Sequence, residues 1–134
     1  MHLLESLFPS GCKLNHKIIL TGRITNSNDL CKLYKKAFFS ISYGQAGLSI
    51  LQSFGFGAPF LCLENAVSGG EIFNIKNNYN GYLAKSDNEF KKHMIELTTD
   101  YNLYYKLGKN AYDYYSEYCT IDKMVCTFNL LINK

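Results

Sequence analysis

Residues 38–63 read FFSISYGQAGLSILQSFGFGAPFLCL, and this stretch decides the fold. Its first five residues form a short apolar run, which predicts a strand over residues 38–42. A helix is predicted from Leu48 to about residue 56, because Gly57 and Pro59 end it. The apolar run over residues 60–63 then predicts another strand. A strand, a helix and a strand in succession favour two parallel strands joined by a right-handed crossover.

The same alternation of apolar runs and helical periods continues on both sides of this unit. Residues 17–22 predict an earlier strand, and residues 82–84 predict a last short one. Helices are predicted over residues 29–37 and 71–76. The predicted fold class is therefore α/β, a Rossmann-like parallel sheet with flanking helices. Strands that are apolar throughout, rather than alternating, indicate burial on both faces of the sheet.

The remainder of the chain is predicted to be helical, as a tail that packs back on one side of the sheet. Residues 3–8 predict the end of a helix. Ser86 and Glu89 have the spacing of a capping box at the start of a first tail helix. A second tail helix is predicted from about residue 100 to 118, and a third begins at Thr120. The third helix is expected to face inward with a set of apolar side chains: Ile121, Met124, Val125, Phe128 and Leu131.

Composition and charge limit the classes of protein that this chain can belong to. Its 134 residues suit a single domain, and the 47% apolar content excludes a disordered chain. The net charge of +3 rests on scattered lysines and one arginine, a distribution that does not predict nucleic-acid binding. No apolar run reaches the roughly 20 residues that span a bilayer, and the first residues do not resemble a secretory signal. We therefore expect a soluble, cytoplasmic domain.

The cysteines and histidines do not predict a metal site. The five cysteines lack the C-x2-C spacing of a zinc site, and their odd number does not indicate a disulfide framework. The three histidines are far apart in the sequence. Thiols in a reducing compartment are the favoured interpretation, with a cysteine nucleophile and a histidine base as the open alternative. No metal and no cofactor are predicted.

Two glycine-bearing loops are the candidate binding elements. Residues 43–47 follow a predicted strand and precede a helix, and residues 68–71 repeat that arrangement. Ligands of open α/β sheets bind beyond the carboxyl ends of the strands, where the free amides of a helix start favour an anion such as a phosphate. The first loop is neither a Walker loop nor a G-x-G-x-x-G fingerprint. An ordinary strand-to-helix turn stays open for the first loop, and a simple first-turn charge stays open for Glu71.

Several segments resemble the group 1 type (family 4) of retaining glycosyltransferases. The stretch GQAGLSILQSFGFGAPF, residues 44–60, is similar to the family pattern E-G-F-G-L-x-x-L-E-A-x-A-x-G-x-P-V. ILTGRI at residues 19–24 is similar to its F-x-G-x-V strand. GEI at residues 70–72 and NGYL at residues 80–83 are similar to its G-x-x-E-I and N-G-x-L segments. The resemblance runs in order from about residue 17 to residue 133.

The resemblance implies that residues 1–134 form most of the C-terminal, donor-binding domain of a GT-B fold. The acceptor-binding lobe, the first strand of the donor domain and the basic pair that contacts the diphosphate are expected to be missing. A UDP- or GDP-sugar is the implied ligand, and no catalytic residue is assigned. The residues implied to bind the nucleotide-sugar are Gly44, Gln45, Ala46, Gly47, Leu48, Gln52, Gly70 and Glu71.

Two departures from the family pattern bear on activity. Its two glutamates fall on Gly44 and Gln52, so the contact to the sugar is lost and the contact to the ribose becomes neutral. The Gly-Gln-Ala-Gly-Leu pattern is, however, similar to a variant found in polysaccharide-building enzymes. The isolated chain is expected to be inactive because it is truncated. The alternative is a non-catalytic domain that pairs with a separate acceptor-lobe chain, and a full-length relative could contact a membrane peripherally. A response-regulator-like module is disfavoured because no strand ends in paired Asp.

Overall fold

The computed structural model describes Ile19 and residues 21–132, which form an α/β fold. Its sheet has three strands, all parallel, in the order β1-β2-β3. The elements in chain order are α1 (Ser27–Tyr34), β1 (Ser40–Ser42), α2 (Ser49–Gly55), β2 (Phe60–Leu63), a 3-10 helix (Glu71–Asn74), β3 (Gly81–Ala84), α3 (Asp87–Thr99), α4 (Tyr101–Tyr114), a π-helical turn (Tyr115–Cys119) and α5 (Ile121–Ile132).

Two predicted elements lie wholly or partly outside the described residues. The helix predicted over residues 3–8 is outside them. Of the strand predicted over residues 17–22, only Ile19, Thr21 and Gly22 are described, and none of these has strand conformation. The remaining predicted elements are present, with β2 at its predicted bounds and the other bounds shifted by a few residues.

The central strand β2 is buried on both faces because helices cover each side of the sheet. Phe60 and Cys62 point into one apolar cluster with Ile50 and Phe54 of α2. Leu61 points the other way, into a second cluster that α3 and α4 complete through Phe90, Leu97 and Leu107. This confirms for β2 the burial expected of an apolar parallel strand. For β1 the expectation is wrong, since Ile41 is 51% exposed. Within the described residues β1 pairs with β2 alone, so its other edge is open.

Buried polar groups fix the connections between the strands. Asn80 is fully buried, its Oδ1 accepts from the Lys76 amide at 2.7 Å, and its Nδ2 donates to the Asn74 carbonyl at 3.0 Å. The side chain therefore closes the turn that leads into β3. The Ser53 hydroxyl, also fully buried, lies 2.8 Å from the Ser40 hydroxyl and 2.8 Å from the Ala58 carbonyl, which ties α2 to β1 and to the start of β2. Both residues satisfy groups that would be costly to bury unpaired.

The capping box before α3 forms, with one partner different from the prediction. The Ser86 hydroxyl accepts from the Glu89 amide at 3.3 Å, as expected. The Glu89 carboxylate accepts from the Lys85 amide at 2.7 Å, one residue earlier than in the standard box. This hydrogen bond is the main reason that the pKa of Glu89 lies below its ordinary value. The carboxylate is therefore held in its charged form at the helix N-terminus, where the dipole favours it.

The C-terminal helices differ most from the prediction. The helix predicted over residues 100–118 is regular only to Tyr114 and continues as the π-helical turn. The prediction that one side of α5 faces the core is wrong, because the five side chains predicted to be buried are 47% to 78% exposed. The physical reason is that, among the described residues, α5 packs mainly against the π-helical turn and not against the sheet. No helix in the described ranges is long and apolar enough to cross a membrane.

Burial makes the cysteines chemically unequal, and we expect alkylation to show it. Burial raises the pKa of the Cys62 thiol from 9.0 to about 11, whereas Cys126 is exposed. At pH 8 iodoacetamide should label Cys126 first and leave Cys62 unlabelled until the chain unfolds, because Cys62 is both covered and protonated. Peptide mass spectrometry would measure the two rates. Equal labelling of the two thiols in the folded protein would contradict the packing of β2.

The raised pKa of Cys62 also sets the sign of one pH effect on stability. When the pKa of a group is higher in the folded than in the unfolded protein, the group stabilises the folded state. That contribution is complete at a pH below the unfolded-state pKa and is lost as the pH rises through the folded-state pKa. For Cys62 this interval runs from about pH 9.0 to about pH 11. Burial raises the pKa of Tyr82 as well, which acts in the same direction. The free energy of unfolding is therefore expected to fall in this alkaline range.

Candidate functional site

The candidate site lies at the carboxyl edge of the sheet. The three parallel strands end at Ser42, Leu63 and Ala84, so the loops that follow them leave from the same edge. The predicted binding loops, residues 43–47 and 68–71, belong to the connections that follow β1 and β2, over residues 43–48 and 64–70, with Glu71 as the first residue of the 3-10 helix. We call these two connections the first loop and the second loop. This is the position at which open parallel sheets bind ligands.

The two loops are joined to each other by backbone hydrogen bonds. The Ala46 amide donates to the Val67 carbonyl at 2.9 Å, and the Val67 amide donates to the Gly44 carbonyl at 3.0 Å. Gln45 and Val67 thus form a short parallel bridge beyond the ends of the strands. Within the first loop the Ser42 hydroxyl donates to the Gln45 carbonyl. The structure therefore brings the two loops together, and it also removes the Ala46 amide from the set that could reach a ligand.

The first loop leaves open space above its two glycines. A Cβ atom built on Gly44 or on Gly47 would have no neighbour within 4 Å, and neither glycine adopts a positive φ. Ala46, between them, is fully buried and anchors the loop in the core next to Ile50. In the described part of the chain the amides of Gly47 and Leu48 donate to no acceptor. These two amides are among the groups that the loop offers to a ligand.

Gln52 lies one helical turn beyond Leu48. Its amide donates to the Leu48 carbonyl at 3.0 Å, so the two residues share a face of α2. Leu48 is 72% exposed and Gln52 is exposed too. Gly44 has no side chain, so the predicted residues that can offer a side-chain amide here are Gln45 in the loop and Gln52 on α2, both exposed. A side-chain amide is neutral, which makes it a weaker partner for a hydroxyl than a carboxylate would be.

The second loop is stabilised by Ser68, which the sequence did not single out for this role. The Ser68 hydroxyl accepts from the amides of Gly70 and Ile72, at 3.2 and 3.1 Å, and donates to the Glu71 carboxylate at 3.3 Å. Gly70 has a φ of 120°, a conformation that only glycine adopts readily. The predicted helix over residues 71–76 is a shorter 3-10 helix, Glu71–Asn74. The Glu71 carboxylate therefore contacts its own loop through Ser68.

A contact between the first loop and the start of α3 was not predicted from the sequence. The Tyr43 hydroxyl donates to the Asp87 carboxylate, and the Tyr43 ring meets Phe90 edge-on at 5.4 Å between centroids. The hydrogen bond to Asp87 is the main cause that raises the pKa of Tyr43. The contact joins the first loop to the start of α3, 44 residues later. Asp87 was assigned only to the helix start, and a pairing at this separation leaves no signal in the local sequence.

Several residues that carry the family resemblance have packing roles. Gly57 has a φ of 71°, and its carbonyl lies 2.5 Å from where a Cβ on Gly108 would stand. Gly81 packs against the backbone of Phe60. A Cβ atom built on Gly81 would lie 2.2 Å from the Phe60 carbonyl oxygen. Asn80 is the buried turn residue described above. These positions are explained by the fold alone, whereas Gly44 and Gly47 are not.

Comparisons with known proteins give no further assignment. A scan against protein-family models and a search of curated proteins both found no match to this chain. Within the described residues no three His, Cys, Asp or Glu side chains converge to hold a metal ion.

Proposed function

We propose that this chain is the donor-binding domain of a retaining glycosyltransferase, similar to most of the C-terminal half of a GT-B fold. Its ligand would be a UDP- or GDP-sugar bound at the two joined loops. The observation that carries the proposal is the open space above Gly44 and Gly47 in a loop that is otherwise anchored in the core. Since packing does not require a glycine at position 47, the close approach of a ligand to the backbone is the reason we favour for Gly47. Gly44 stands where the family pattern has a glutamate, and it leaves the same space open.

The diphosphate would lie over the first loop. The free amides of Gly47 and Leu48 would donate to its phosphate oxygens. In a transfer reaction the same donors would stabilise the negative charge that develops on the leaving nucleoside diphosphate. Gln52 would donate to or accept from a ribose hydroxyl. Gly44 offers no side chain to the sugar, and we assign no general base.

The charges around the loops predict weak binding. Neither loop contains Lys or Arg, and the second loop contains Glu64 and is followed by Glu71. Backbone amides alone would therefore balance the charge of the diphosphate, without the charge-assisted hydrogen bonds that strengthen most phosphate sites. An acceptor lobe would add the remaining contacts. This is why we propose that the domain binds donor but is inactive by itself, as part of an enzyme of the polysaccharide-building kind.

A charge reversal in the first loop tests the site. The Cβ of Gly47→Glu would have no neighbour within 4 Å, so the fold should be retained, but its carboxylate would repel a diphosphate. We expect calorimetric titration with UDP to show an affinity lower by about tenfold or more. Asn102→Glu adds the same charge on the exposed side of α4 and should bind like the unmodified chain. Equal affinities for the two variants would place the nucleotide elsewhere.

A second candidate function is a non-catalytic domain that pairs with a separate acceptor-lobe chain. The observation that favours it is the open edge of β1, where Ile41 is 51% exposed and the described residues supply no second strand. Open strand edges invite pairing with another chain. The same titration separates the two functions, because a folded chain that takes up neither UDP nor GDP would favour pairing over donor binding.

A further inference from the structure

The apolar side of α5 is a continuous stripe. At 100° per residue, six of its apolar residues fall within an arc of about 120°. They are Ile121, Met124, Val125, Phe128, Leu131 and Ile132. Each is between 47% and 78% exposed. The polar residues Asp122, Lys123 and Thr127 lie on the rest of the helix, so the stripe is bounded on both sides.

The spacing of the stripe suits another helix of the same kind. Ile121, Met124, Phe128 and Leu131 repeat at intervals of three and four residues, which is the a and d pattern of a two-helix contact. If two copies of α5 lie antiparallel with their two-fold axis near residue 126, Ile121 of one copy faces Leu131 of the other. Met124 then faces Phe128. Every layer pairs an a with a d position, so the stripe is complementary to itself.

We infer that the α5 stripe is a self-association surface, on which a second copy of this chain docks its own α5 in antiparallel orientation. Charge favours this occupant over a lipid surface. The polar side of α5 carries one Asp and one Lys in adjacent positions, rather than the excess of basic residues that draws a helix to anionic lipid. In the antiparallel pair the Lys123 side chains of the two copies also lie towards opposite ends and do not repel each other.

The area of the stripe predicts the strength of the association. An apolar side chain removes on the order of 100 Å² from water when fully covered. At the observed exposures, the six side chains of both copies would remove roughly 740 Å² in total, below the 1,200 Å² or so of a stable interface. The pair should therefore be a weak dimer that forms reversibly in the micromolar range or above. It does not depend on nucleotide binding.

Two neighbouring leucines give a matched test. Leu131 lies in the stripe and is 67% exposed, whereas Leu130 lies about 100° away and is 66% exposed. Sedimentation velocity of the full chain, from about 5 to about 500 µM, should show a shift from monomer to dimer. Leu131→Lys should stay monomeric over this range, and Leu130→Lys should dimerise like the unmodified chain. Circular dichroism would check that both variants are folded, with Ile121→Lys as a second stripe variant.

Three results would overturn the proposal. The unmodified chain could stay monomeric at every concentration, or both leucine variants could dimerise equally, and either result would mean that the stripe is not the contact. A monomer that sediments with vesicles of phosphatidylglycerol and phosphatidylcholine, and loses this binding in Leu131→Lys, would assign the stripe to lipid instead.

Discussion

Replacing Gly81 with alanine is expected to lower the free energy of unfolding by about 3 kcal/mol or more. The Cβ of the new side chain would stand 2.2 Å from the Phe60 carbonyl oxygen and 3.1 Å from the Phe60 nitrogen. Both atoms belong to the backbone of the central strand, which the two apolar clusters hold in place. The clash can be relieved only by separating β3 from β2. Urea denaturation of the purified variant would measure the loss.

Gly44→Ala is the matched control for this prediction. It adds the same methyl group in open space, at a glycine without a positive φ, and should change stability by about 0.5 kcal/mol or less. If Gly81→Ala unfolded at the same urea concentration as this control, the pairing of β2 with β3 would be wrong. Partial loss of folded protein during expression of Gly81→Ala would agree with the prediction, since a typical domain has only about 5–15 kcal/mol in reserve.

Gly108→Ala is the second substitution expected to have a large effect. We expect it to destabilise the fold, which is opposite to the usual effect of this exchange in a helix. Alanine in place of glycine inside a helix normally stabilises by about 1 kcal/mol. At Gly108 the new Cβ would lie 2.5 Å from the Gly57 carbonyl oxygen. Gly57, with a φ of 71°, closes the end of α2 and has little freedom to move away. We expect a net loss of about 2 kcal/mol, because α4 would be pushed off α2.

The control for Gly108→Ala lies on the same helix. Lys106→Ala changes an exposed position of α4, where no contact of this kind exists, and should be close to neutral. Thermal unfolding of the two variants side by side would compare them. A Gly108→Ala variant that melts above the unmodified chain would contradict the close approach of α4 to Gly57.

Local patterns in the sequence predicted those elements whose environment is also local. The apolar run of β2 and the glycine-proline end of α2 were placed correctly because the run is buried on both faces and Gly57 does end the helix. The capping residue Ser86 acts as expected. The exposure of β1 and α5 was not predictable. A periodic pattern of apolar residues identifies an apolar face, but it does not show whether another element packs against that face. The π-helical turn after Tyr114 likewise has no marker in the sequence.

The sequence predicted which two loops form the candidate site, but it did not predict the contacts that join these loops to each other and to α3. Two glycine-bearing loops after successive strands do lie together at the carboxyl edge. The bridge to Val67 and the contact of Tyr43 with Asp87 join residues that are far apart in the chain. Such contacts are set by the register of the sheet and by the packing of α3, which a local pattern does not determine.

Four of the described glycines form two contrasting pairs by the space around them. At Gly81 and Gly108 there is no space for a side chain, because any Cβ atom would clash with the backbone of a neighbouring segment. Gly44 and Gly47 face open space at the edge where a ligand would lie. The first pair explains the fold, and the second supports the proposed donor site. Stability should therefore respond to substitutions in the first pair and ligand binding to substitutions in the second.

Calorimetric titration of the folded, unmodified chain with UDP and with GDP tests the central proposal most directly. We expect saturable, weak binding of one of the two nucleotides, which Gly47→Glu reduces and Asn102→Glu leaves unchanged. Absence of heat with both nucleotides, in a sample shown to be folded by circular dichroism, would contradict donor binding by this domain.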